Sequence, residues 1–271
     1  MPSKHNFVNM ALNPERRKLL EQIMPEGMIV TRKWLTEQAS LDTHAIDNLV
    51  KSEHLKLLWK GLYTRGKVQL SWQSMVYTLQ AVMQKDFIVG GMTALQLKGF
   101  SHYLPASKKE TVHLYGNDKL PLWLNNLAES KTFIRHTRNE LFSGMENDIS
   151  EKYISTIFWK EGMDELKISC PEKACLEMLN EVPGKISLEH ADQLIQGMTS
   201  FSPRTLQKLL EACTNVKVKR LFLWFGSRHN HAWFSKLDTS KIGLGSGNRV
   251  IIKGGELNKT YKITIPKEFP L

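Results

Sequence analysis

Residues 31–65 read TRKWLTEQASLDTHAIDNLVKSEHLKLLWKGLYTR, and the architecture of the N-terminal part follows from them. Thr31 carries a hydroxyl suited to cap a helix over residues 32–38, where Trp34, Leu35 and Gln38-Ala39 recur at the spacing of one buried face. Ser40 is the expected cap of a second helix that turns Leu41, Ala45, Ile46, Leu49 and Val50 inward. Leu35, Ala39, Leu41, Ile46 and Leu49 then supply the five apolar positions that two helices joined by a tight turn press onto one small core. Ser40 also stands where such turns often use glycine. Residues 55–59 and 62–65 are apolar-rich and flank Lys60-Gly61, the pattern of a compact hairpin. Two crossed helices followed by a hairpin predict a winged helix-turn-helix.

In that arrangement the second helix is the one that enters the major groove of DNA. Its solvent side holds Thr43, His44, Asp47, Asn48 and Lys51, the expected base-edge contacts. Among these types, asparagine can pair with adenine through two hydrogen bonds. Thr31, Arg32, Lys33, Lys56, Lys60 and Arg65 flank the helix and suit phosphates. The same polar face would also serve a module that docks on another protein.

The net charge of +10 is unevenly spread over the 271 residues. Residues 201–271 hold 13 basic and 4 acidic side chains, whereas residues 140–200 hold 5 basic and 12 acidic ones. The C-terminal excess favours an acidic partner, nucleic acid ahead of an acidic protein, and it nominates Arg204, Lys208, Lys217, Lys219, Arg220, Arg228, Arg249 and Lys253 as a basic surface. No apolar run is long enough for a membrane span, and residues 1–17 lack the apolar core of a signal peptide, so a cytoplasmic protein with no membrane partner is expected. Three cysteines, Cys170, Cys175 and Cys213, do not make a disulfide framework. A zinc site built from Cys170, Cys175, His229 and His231 has the wrong spacing, so no metal and no cofactor are expected.

Along the chain, residues 1–12 read as a loose arm and residues 13–66 as the winged domain, opened by Asn13-Pro14 and a helix with Leu19, Leu20 and Ile23 inward. Residues 67–271 read as a mixed α/β domain, so the fold class is α+β. Its first helix is capped by Ser71 and runs to about residue 85. Gly90-Gly91 precedes a short helix without the lysine and hydroxyl of a phosphate loop, which makes close packing the better reading of the pair. Residues 111–115 alternate, with Val112 and Leu114 inward and His113 outward. Residues 133–137, 154–159 and 218–225 read as strands; 121–127, 171–179, 188–198 and 203–212 read as helices. Residues 249–253 and 261–265 read as a terminal hairpin.

Several of these stretches, taken in order, resemble a known family. PEGMIVTRKWL, the helix-turn-helix, WKGLYTRG, LSWQSMVYTLQ, IVGGMTALQLKGFSHYLP and TVHLYG are similar to the N-terminal part of the AbiEi antitoxins. KRLFLWF and WFSKLDTSKIGLGSGNRVIIKGGELNKTYKITIP are similar to that family's end. The resemblance implies a transcriptional regulator of a bacterial type IV toxin–antitoxin system, of the kind used in abortive infection against phage. It further implies repression of its own operon through operator DNA, expected as inverted repeats. The partner toxin would resemble a nucleotidyltransferase and be neutralised without a stable complex, with the C-terminal domain carrying the antitoxin activity. No protease, esterase-elbow or Cys–His signature is present, and Asp164, Glu165 and Lys167 make only a chance-level nuclease-like triplet, so no enzyme is expected. The alternative is an interaction module that neutralises a toxin by direct protein or RNA binding.

Overall fold

The computed structural model describes residues 14–66, 69–100, 110–129, 131–138, 140–142, 151–267 and 269. The chain divides into two units, one of Met1–Lys85, Lys119–Lys131 and Phe158–Leu166, the other of Asp86–Asp118, Thr132–Ile157 and Lys167–Leu271. The arm expected over residues 1–12 and the Asn13 cap lie outside the described residues.

The first unit begins with α1 (Pro14–Ile23), β1 (Ile29–Thr31), α2 (Arg32–Ala39) and α3 (Thr43–Lys51), then the hairpin β2 (Lys56–Trp59) and β3 (Leu62–Thr64). The three strands form an antiparallel sheet in the order β1-β3-β2. This is a winged helix-turn-helix. Leu35, Ala39, Leu41, Ile46 and Leu49 are all buried, so the five-residue core is as expected from the sequence. Thr31 caps α2 by accepting from the Trp34 amide at 3.1 Å. The cap of α3 is Asp42, not Ser40: its Oδ1 accepts from the Ala45 amide at 2.8 Å. Ser40 instead ends α2 in the left-handed region, φ +51°, which directs Leu41 into the core and delays the next helix by two residues. Leu20 is buried, but Leu19 is exposed.

The unit runs on past Gly66. Ser71 caps α4 (Trp72–Tyr77), which widens into a π-helical turn over Thr78–Val82 instead of continuing as α-helix. The Thr78 hydroxyl reaches the Ile29 carbonyl at 2.9 Å, tying this helix to β1. α6, at Leu122–Leu127 with Trp123 and Leu124 buried, belongs to the same unit. So does Trp159, whose ring lies 5.9 Å from that of Tyr77.

The second unit is built on a five-stranded sheet of order β6-β5-β4-β8-β7, with β4 at Ile88–Val89, β5 at Glu110–Tyr115, β6 at Lys131–His136, β7 at Ile154–Ile157 and β8 at Leu166–Ser169. β4 runs antiparallel to β5 and parallel to β8. Helix α5 (Gly91–Leu97) packs on α7 (Pro171–Asn180), which is followed by α8 (Leu188–Gln196), α9 (Pro203–Ala212) and α10 (Val216–Arg228).

Residues 218–225, expected as a strand, lie inside α10 and are buried throughout. A helix enclosed on all sides needs no polar stripe, so its run of apolar residues carries no helical period. The terminal sheet also differs from expectation. β9 (Arg249–Val250) pairs in parallel with β11 (Ile263–Ile265), and the hairpin partner of β11 is β10 (Glu256–Asn258).

Candidate nucleic-acid interface

At about 100° per residue, positions 43, 44, 47, 48 and 51 of a helix fall within an arc of about 140°, opposite Ile46 and Leu49. Thr43, His44, Asn48 and Lys51 are exposed on that arc, and their side chains make no hydrogen bond or ion pair to other described residues. Asp47 is different. Arg32 approaches its Oδ1 at 3.1 Å and donates to the Tyr63 hydroxyl at 2.5 Å, with the guanidinium 5.5 Å from the Tyr63 ring centre. This three-residue chain joins α2, α3 and β3. It also neutralises the one carboxylate on a face that would otherwise repel phosphate. Tyr63 was not singled out from the sequence, since nothing local in a strand announces a partner 31 positions earlier.

Of the flanking residues, Lys56 and Lys60 are exposed on the wing and Lys33 is exposed on α2, 3.7 Å from Glu37. Arg65 is turned the other way. Its Nε donates to the Met24 carbonyl at 2.9 Å and one terminal nitrogen reaches the Glu21 carbonyl at 3.4 Å, so it fastens the hairpin to the end of α1. The Thr31 hydroxyl serves as the α2 cap.

The expected C-terminal basic surface is broken up by the fold. Arg220 is completely buried and donates to the carbonyls of Leu244 at 2.9 Å, Gly245 at 3.3 Å, Gly247 at 2.7 Å and Lys262 at 3.0 Å. The GLGSG stretch is thus wrapped around a guanidinium. Lys219 is also buried, so neither residue belongs to a surface. Lys217 donates to the Asn180 and Val182 carbonyls at 2.8 and 2.7 Å, closing the end of α7 where carbonyls lack helical partners. Arg228 pairs with Asp192 at 3.1 Å and lies over the Trp224 and Phe269 rings. Arg204, Lys208, Arg249 and Lys253 remain exposed, Lys208 within 3.8 Å of Glu211.

The glycine pair has a direct explanation. A Cβ on Gly90 would stand 2.4 Å from both Glu177 Oε2 and the Tyr115 ring, and the Gly91 amide, at φ +52°, donates to Glu177 Oε2 at 2.9 Å. The anion at this helix start is the protein's own carboxylate.

His113, expected outward, is buried, with its ring stacked on that of His136 of β6 at 5.1 Å between centres. Its Nδ1 is 2.9 Å from His136 Nε2, and Glu140 and Glu181 each lie 3.8 Å from His136 Nδ1. Burial, then the neighbouring His136, push the His113 pKa down to about 4. Burial likewise raises the Cys170 thiol to about 12 and raises Cys175 and Cys213. Among the described residues no three His, Cys, Asp or Glu side chains form a metal-binding group. No helix among them is long and apolar enough to cross a membrane.

Two family models match nearly end to end. Residues 13–106 match the "Transcriptional regulator, AbiEi antitoxin N-terminal domain", and residues 109–266 match "Transcriptional regulator, AbiEi antitoxin, Type IV TA system". The chain belongs to the AbiEi antitoxin family. AbiEi proteins are classed as transcriptional regulators and antitoxins. No curated protein matches this AbiEi chain. Among solved structures, the RV2827C protein from Mycobacterium tuberculosis is similar in fold, with a TM-score of 0.56 and 16% identity over 87% of this chain and 85% of that one.

Proposed function

We propose that this AbiEi protein represses the operon that encodes it and its toxin by placing α3 in the major groove of operator DNA. Asn48, His44, Thr43 and Lys51 would meet base edges, and Lys33, Lys56 and Lys60 would meet phosphates. Arg32 would orient α3 through Asp47. The observation that carries this reading is that Thr43, His44, Asn48 and Lys51 of α3 are exposed and unengaged among the described residues, beside a wing whose residues 55–65 contain no carboxylate. One winged helix covers one half-site, so an inverted-repeat operator would hold two copies. The second unit is proposed to carry the antitoxin activity against a nucleotidyltransferase-like toxin, without a stable complex, in the cytoplasm.

The test is a gel-shift titration of the full chain on its own upstream region and on scrambled DNA of equal length, at two salt concentrations. Repression requires selective binding, on the order of a thousandfold or more, that weakens steeply with salt. Equal affinity for both probes would overturn the repressor reading and leave the interaction-module alternative.

A further inference from the structure

The wing carries a side chain that phosphate contact does not explain. Trp59, the last residue of β2, is 40% exposed, and Leu57 on the same strand is 51% exposed. By contrast Trp123, Trp224 and Trp233 are buried. The hairpin register is Leu57↔Tyr63 and then Trp59↔Leu62, so Leu58 is an extra residue. Such a bulge re-aims the side chains beside it. Here it leaves the indole next to the Lys60-Gly61 turn, where Gly61 has φ +74° and open space around its Cβ position. Exposing an indole in this way forgoes apolar burial.

We propose that Trp59 is an apolar wedge that enters the minor groove beside the α3 half-site and partly unstacks one base step there. This rests on the repressor reading above. The chemistry of the neighbourhood selects DNA as the occupant. Lys56 and Lys60 bracket the indole with positive charge, and no carboxylate lies between residues 55 and 65. β2 begins only five residues after α3 ends, so a duplex held by α3 lies within reach of the hairpin tip. A flat, rigid side chain flanked by cations suits a narrow, electronegative groove, and apolar wedges are used there to part base steps. A second copy is the weaker occupant. Antiparallel pairing of two β2 edges about Leu58 would set Lys56 of each copy opposite Lys60 of the other, and like charges directly opposed are unfavourable.

The wedge confers a preference for steps that unstack easily, pyrimidine–purine steps above all, at a position α3 does not read. The experiment uses the full chain, its own upstream region, and duplexes carrying 2-aminopurine at successive positions beside the half-site. Wild type should raise 2-aminopurine fluorescence at one step. Trp59→Ala should abolish that rise and weaken operator binding roughly tenfold or more with an unchanged salt slope, and Trp59→Phe should keep most of both. Lys60→Ala should do the reverse, lowering the salt slope while keeping the fluorescence rise. Trp59→Ala matching wild type in affinity and fluorescence would overturn the wedge and leave the repressor standing. So would a change in sedimentation from dimer to monomer in Trp59→Ala without DNA, which would assign the indole to self-association. Wild type showing no operator preference would remove the repressor reading and the wedge together.

Discussion

The two units differ in the share of their basic residues that the fold engages. In the winged unit, Lys51, Lys56 and Lys60 stand in solvent, and Arg32 and Arg65 hold elements in place. In the last quarter of the chain, where the sequence is most basic, Lys217, Arg220 and Arg228 each bind protein groups at a helix end, a loop and a carboxylate, and Lys219 is buried. The difference teaches that a charge count measures composition, not a surface. Long cationic side chains carry several donors, and a fold rich in helix ends and wrapped loops has many carbonyls to satisfy.

The sharpest test of that contrast is Arg220→Ala. Removing the buried guanidinium leaves the Leu244, Gly245 and Gly247 carbonyls without their donor, while the Lys262 carbonyl keeps the Arg249 amide, and we expect a loss of about 3–5 kcal/mol in urea unfolding of the full chain. If stability were unchanged and only nucleic-acid binding fell, Arg220 would belong to a surface after all. Next in size is a pH effect confined to the second unit. His113 has a folded pKa near 4 against an ordinary value of 6.5, so the unfolded chain takes the proton first. Stability is full above about pH 6.5 and declines as pH falls towards 4, by on the order of 3 kcal/mol. His113→Phe should flatten that part of the profile measured by urea unfolding; an identical slope in the variant would assign the acid sensitivity to other groups.

In the winged unit the expected effects are on binding. Asn48→Ala should cost about 1–3 kcal/mol of discrimination between the operator and a singly changed site while leaving non-specific binding intact. Unchanged preference would mean that α3 is placed wrongly. Lys60→Ala should weaken all DNA alike and reduce the salt slope by about 1, seen in titrations at several salt concentrations. Smallest of all is Lys208→Ala, which removes an exposed pair with Glu211 and should shift stability by less than about 1 kcal/mol.

The winged domain was legible because its information is local. Leu35, Ala39, Leu41, Ile46 and Leu49 sit within fifteen residues, so helix periodicity alone places them on one core. The α3 face was readable for the same reason, since helical geometry fixes which side chains oppose the core. Other assignments failed where burial erased the pattern. The run at residues 218–225 lacks a polar face because α10 is enclosed, and His113 breaks the alternation of β5 because a histidine partner waits on β6.

What the sequence by itself determined was therefore the α+β class, the winged helix-turn-helix, the family, and the polar arc of α3. Only the tertiary structure decided that Asp47 is held by Arg32 and Tyr63, that the glycine pair encloses Glu177, that Arg220 organises a loop, and that Trp59 faces solvent. The physical reason is range. Helix propensity and periodicity act over a few residues, whereas the partner of a buried charge or the cover of an aromatic ring is set by chain segments that meet only on folding.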